Sequence, residues 1–140
     1  MASILAQFKR ISDAFAAGVE DAVQESAADA LLELVPGTPV KTGTARINWI
    51  AALGSPRSHY EDGPGSTDRG LNGGVAAAVA ISKALTVIRR FRLPHKSINL
   101  CNSVPYIIDL DNGSSSQAPA GMTAMAAKAA TDTLRRHKII

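Results

Sequence analysis

Val35-Pro36-Gly37-Thr38-Pro39-Val40-Lys41-Thr42-Gly43-Thr44-Ala45-Arg46-Ile47-Asn48-Trp49-Ile50-Ala51-Ala52-Leu53 is the stretch where the periodicity of this chain changes. Upstream, Ile4, Phe8, Ile11, Phe15, Val19, Ala22, Ala30 and Leu34 recur mostly at steps of three and four. That spacing predicts an amphipathic helix from residue 3 to about 34 with one apolar stripe. Ser3 is its expected N-cap, and Gly18 weakens its middle by about 1 kcal/mol. The segment from Val35 to Pro39 is expected to end it, since proline lacks the N–H and clashes with the preceding turn. From Ala45 to Leu53 the period becomes two, with Ile47, Trp49 and Ala51 alternating against Arg46, Asn48 and Ile50, which predicts a strand.

Downstream of that strand, residues 54–74 hold a glycine-rich segment expected to be a long flexible loop. Val75 to about Arg90 reads as an alanine-rich second helix. Ser97 to Asn102 reads as a second strand, with Ile98 and Leu100 on one face. Val104 to Leu110 is a short apolar run, and Asp111-Asn112-Gly113 turns the chain. A last helix is expected near Met122 to Arg136, with basic residues at its C-terminus. Helix, strand, helix, strand, helix gives an α+β fold: a long N-terminal helix, a small antiparallel sheet and two further helices. At 140 residues the chain is expected to be one domain, residues 1–140.

The composition restricts function. There are 24 Ala but only six aromatic residues, so each buried position removes little apolar area from water. Such a chain either packs its helices closely or borrows burial from neighbouring subunits. Phe8, Phe15, Trp49 and Tyr106 are expected to gather where the sheet meets two helices. No run approaches the roughly 18 apolar residues of a membrane span, and the N-terminus lacks a signal-peptide pattern. The lone Cys101 allows no internal disulfide. These features predict a soluble chain made in the cytoplasm. The net charge is +3, but residues 1–34 carry two cations against six carboxylates and residues 35–140 carry 13 cations against six. This polarity suggests electrostatic contact within the chain or between copies, or simply solvated faces.

Signatures of chemistry are weak. Gly63 to Gly70 lacks the Gly-Lys-Ser/Thr ending of a phosphate loop. His59, His95 and His137 are scattered, and Cys101 has no partner at zinc-ligand spacing. Asp109 to Gly113 is a poor calcium loop, because its twelfth position would be Ala120. No nucleophile elbow is present. The sequence therefore predicts a non-enzyme without metal or cofactor. Arg89, Arg90, Arg92 and Lys96 form the densest basic cluster and could face DNA or an interface. Base-stacking aromatics are scarce, so any DNA contact is expected to be non-specific.

Two segments together resemble a known family. One is Pro39-Val40-Lys41-Thr42-Gly43-Thr44-Ala45-Arg46-Ile47-Asn48-Trp49. The other is Asn102-Ser103-Val104-Pro105-Tyr106-Ile107-Ile108-Asp109-Leu110-Asp111-Asn112-Gly113, continuing through Gln117-Ala118-Pro119-Ala120-Gly121-Met122. Their order and content are similar to the neck and tail-completion proteins of long-tailed bacteriophages, including the minor tail protein Z type. Asp111 stands where that family often has Glu, and the glycine-rich segment is an insertion. The resemblance implies a structural virion subunit assembled in the host cytoplasm. It would form a ring, usually sixfold, at the head–tail junction. Its neighbours would be the head-side connector or head-closure protein and the tail terminator or tail tube, with genome DNA in the lumen. No catalytic residue is carried over. The motif and interface candidates are Thr42, Gly43, Arg46, Trp49, Pro105, Tyr106, Gly113, Gln117, Pro119, Gly121 and Met122, each serving either the fold or a partner contact. The alternative from composition is a small basic DNA-binding accessory protein.

Overall fold

A computed structural model describes residues 3–39, 44–59, 69–113 and 121–138. Helix α1 (Ile4–Gly37) opens on Ser3, whose hydroxyl accepts the Ala6 N–H at 3.1 Å. It outruns its expected end by a turn, and Pro36 lies inside that turn. Proline costs one ladder bond there, at an end that is closing anyway. The exposed carbonyls are taken up by Thr38 and Arg46.

The predicted strand from Ala45 is half helix. Thr44–Ile47 forms a single helical turn, α2, and only Ile50–Leu53 is strand β1. The Asn48 amide donates to the Thr44 carbonyl at 2.7 Å, and the Asn102 amide donates to the Ala45 carbonyl at 2.8 Å. Side chains thus satisfy this backbone where a ladder was expected. Helix α3 (Arg69–Ile88) starts inside the predicted 54–74 loop. Glycine weakens a helix without forbidding it, unlike proline. The expected flexible loop is therefore shorter, and residues 60–68 lie outside the described residues.

A 3₁₀ turn (Leu93–His95) leads into β2 (Ile98–Cys101). The two strands pair antiparallel, Ile50 opposite Cys101 and Leu53 opposite Ile98. The pairing continues one step further, where the Gly54 N–H reaches the Ser97 carbonyl at 2.9 Å. Val104–Leu110, read only as an apolar run, contains a short helix α4 (Ile107–Asp111). Helix α5 (Met122–Arg136) matches its expected bounds. The architecture is α+β, with a long N-terminal helix, a two-stranded antiparallel sheet and helices packed around it.

The core lies between the second half of α1, α3, α5 and the sheet. Leu31, Leu34, Val35, Trp49, Ala51, Ile88, Met122 and Ala126 are buried together. Along α3 the residues Ala76, Ala80, Ala84 and Ile88, four apart, are all buried. A row of methyl groups lets this helix approach α1 and β1 closely. The alanine-rich composition is thus spent, in part, inside the monomer.

Two packing expectations are overturned. The apolar stripe of α1 is not buried along its length: Ile4, Leu5, Phe8, Ile11 and Phe15 are 70, 80, 65, 63 and 46% exposed. A 34-residue helix is about 51 Å long, while α3 and α5, with 20 and 15 residues, span about 30 and 22 Å. They cover only the half of α1 beyond Val19. The aromatic cluster fails for the same reason, since Phe8 and Phe15 ride on the uncovered half. Tyr106 is 43% exposed, and the buried aromatics among the described residues are Trp49 and Phe91.

Candidate functional site

The most structured polar site joins the end of α1 to α2, β1 and α5, and it is built around Thr38. Its hydroxyl donates to the Leu34 carbonyl at 2.6 Å, four residues back. The same oxygen accepts the Trp49 indole N–H at 2.8 Å and lies 3.5 Å from the Met122 sulfur. All three residues are buried. Arg46, on α2, closes the helix end from outside. Its Nε donates to the Thr38 carbonyl at 2.7 Å and its Nη2 to the Pro36 carbonyl at 3.0 Å. A cation on the last carbonyls also complements the helix dipole. Partial burial pushes the Arg46 guanidinium below its ordinary value, but a guanidinium stays charged throughout the usual pH range.

The two resembling segments therefore meet in space. Arg46, Trp49 and Met122 surround Thr38, while Asn102 binds the carbonyl of Ala45 and accepts the Val104 N–H at 3.1 Å. Asp111 holds the start of α5: its carboxylate accepts the Thr123 N–H at 3.0 Å and the Thr123 hydroxyl at 2.6 Å. Its carbonyl accepts the Gly121 N–H at 2.8 Å. Gly113 and Gly121 both adopt positive φ, as turn glycines do. Pro105 and Tyr106 are exposed at the entry to α4 rather than packed under it. Thr42, Gly43, Gln117 and Pro119 lie outside the described residues. Thr38 was not among the sequence candidates. Its only signal was a hydroxyl placed four residues after Leu34 at a helix end, the spacing of a back-bond to the last turn.

Beside this site an open groove of about 390 Å³ is lined by Leu34, Trp49, Leu100, Ile107, Ile108 and Met122, with Asp111 and Asn102 among its polar groups. Ile108 stands 72% exposed on its rim.

Arg89, Arg90, Arg92 and Lys96 are exposed around the end of α3 and the 3₁₀ turn. They do not form an isolated basic wall. The Leu93 N–H donates to the Glu20 carboxylate at 2.9 Å, and the Gln24 amide donates to the Phe91 carbonyl at 2.9 Å. A cleft of about 440 Å³, lined also by Ala28, Leu85 and Ile88, brings Asp21 and Glu25 of α1 together with Arg89 and His137. Nearby, the His137 imidazole meets Glu25 at 2.6 Å and Arg136 lies 4.0 Å from Asp29. The acidic first helix and the basic remainder thus touch within one chain. These pairs are solvent-exposed and each contributes little to stability.

Among the described residues no group of three or more His, Cys, Asp or Glu is placed to hold a metal ion, and no helix is long and apolar enough to cross a membrane. No family model, curated protein or solved structure matches the chain.

Proposed function

We propose that this chain is a structural subunit of a bacteriophage neck, forming a ring that joins the head connector to the tail around the DNA channel. The observation that carries this reading is the uncovered half of α1. A folded monomer that leaves Ile4, Leu5, Phe8, Ile11 and Phe15 in water presents a contiguous apolar surface of roughly 600 Å², taking about 200 Å² for each large side chain. That stands at the upper end of the largest apolar patch on a typical monomer, a patch that is often functional. It suits a protein whose work is assembly. The resemblance of the two segments to neck and tail-completion proteins supplies the location. The ring, its sixfold number, its head-side and tail-side neighbours and its DNA-filled lumen all rest on that resemblance.

The rival reading, a small basic accessory protein that binds DNA without sequence preference, draws on the exposed Arg89, Arg90, Arg92 and Lys96. Co-purification separates the two. A neck subunit binds head-side or tail-side structural proteins of its own particle. A chain that stays monomeric with all of them, yet retards duplex DNA with a steep salt dependence, is the accessory protein.

A further inference from the structure

The exposed stripe of α1 has the same spacing in both directions. Ile4, Phe8, Ile11 and Phe15 are separated by steps of four, three and four, the pattern of a helix-packing seam. Set against its own reverse, the stripe puts a Phe opposite every Ile: 4 faces 15 and 8 faces 11. The positions flanking the seam, Leu5, Gln7, Ser12 and Ala14, are uncharged. Lys9, Arg10 and Asp13 lie on the far side of the helix, where Lys9 is tied to Asp13 at 2.7 Å. A second arm therefore meets the seam without bringing like charges together.

The seam continues into the body of the molecule. Val19, Ala22, Ser26 and Ala30 extend it in steps of three and four. Ala22, Ser26 and Ala30 are buried, on the half of α1 that packs against α3 and α5. This fixes the direction of a second copy laid on the arm. A parallel copy would drive its residues beyond 19 into α3 and α5. An antiparallel copy with 8 opposite 11 ends its own stripe opposite Phe15, short of Val19, and its body begins beyond the N-terminus of the first.

We infer that the residue 4–15 arms of two copies pair antiparallel along this seam, Phe8 against the partner's Ile11 and Ile4 against the partner's Phe15. The contact is isologous, one surface used twice, and it closes at two copies. Each arm brings roughly 600 Å², so the pair covers about 1,200 Å², the lower bound of a specific interface. Most helical stability in proteins comes from tertiary packing of an apolar face, and the pairing supplies it to turns that their own chain leaves bare. A lipid surface fits less well. Residues 4–15 carry two cations against one carboxylate, and Lys9 is already paired, whereas interfacial helices are rich in Lys and Arg. The pairing does not rest on the ring reading; within a ring it would join copies two by two.

The test uses the full-length chain with Cys101→Ala. One version carries Ile4→Cys, the other Phe15→Cys and a size tag, and the two are mixed and oxidised. Mixed-size cross-links are expected to dominate, because two copies of residue 4 stand about 17 Å apart along the seam. Sedimentation of the wild-type chain is expected to show self-association that Phe8→Asp weakens at least tenfold, with the circular dichroism spectrum and melting temperature of the dilute chain unchanged. Same-size cross-links alone would overturn the antiparallel pairing in favour of parallel arms. A wild-type chain that sediments as a monomer overturns it outright, as does flotation with phosphatidylserine vesicles in place of self-association. Mixed cross-links from a chain that is absent from the particle neck uphold the pairing and remove the ring. A neck ring without mixed cross-links does the reverse.

Discussion

The indole N–H of Trp49 donates to the hydroxyl of Thr38 at 2.8 Å, and that hydroxyl hands its own proton to the Leu34 carbonyl at 2.6 Å. One buried oxygen thus ties the end of the long helix to the first strand. Replacing Thr38 by Val keeps the shape but leaves a buried indole N–H unpaired, a loss of about 1–3 kcal/mol. Adding Trp49→Phe to Thr38→Val removes that orphan donor. The double variant is therefore expected to cost less than the sum of the single ones, measured by urea unfolding of all three.

Arg46 is a helix cap supplied from a later turn. Arg46→Met removes two bonds to the carbonyls of Pro36 and Thr38 and the favourable dipole contact, and is expected to cost about 1–3 kcal/mol. Arg46→Lys recovers only part, because an ammonium cannot reproduce the planar fork. Burial lowers the Arg46 pKa, which favours loss of its proton only well above neutrality. The deficit of Arg46→Met should therefore be constant between about pH 5 and 9, and denaturation curves at several pH values check it.

Gly54 continues the strand pairing at φ +84°, and a Cβ there would sit 3.2 Å from the His95 carbonyl oxygen. Gly54→Ala combines left-handed strain with crowding against backbone. A loss of about 1–2 kcal/mol is expected, read as a drop of several degrees in melting temperature.

The two halves of α1 should respond oppositely to truncation. Phe91 is fully buried, so Phe91→Ala is expected to cost about 3–5 kcal/mol. Phe8→Ala is expected to change the stability of the dilute monomer by less than about 0.5 kcal/mol. Equal losses at both sites, by urea unfolding at low concentration, would contradict the uncovered arm.

The legible parts of the sequence were those where a local rule acts alone. Ser3 capped, the residues from Val35 to Pro39 contained the helix end, Ile98 and Leu100 faced the core, and α5 ran from Met122 to Arg136 as its pattern indicates. Periodicity misled in two ways. Ile47 and Trp49 alternate like strand residues, but Asn48 and Asn102 satisfy a helical turn through side-chain bonds that no period encodes. The α1 stripe marks a face that seeks apolar contact without saying whether the same chain supplies it. Coverage depended on the relative lengths of α1, α3 and α5. Of the site, Arg46, Trp49 and Met122 were visible through their motifs. Their convergence on Thr38 is a tertiary fact, carried by residues 84 positions apart.

Whether the chain forms a ring at the head–tail junction is decided by an electron-microscopic reconstruction of the neck of the particle into which it assembles. The expected result is a closed ring of copies around the DNA channel, between connector and tail. A neck whose rings contain no density for this fold, with the chain recovered only as free monomer or on DNA, would contradict it.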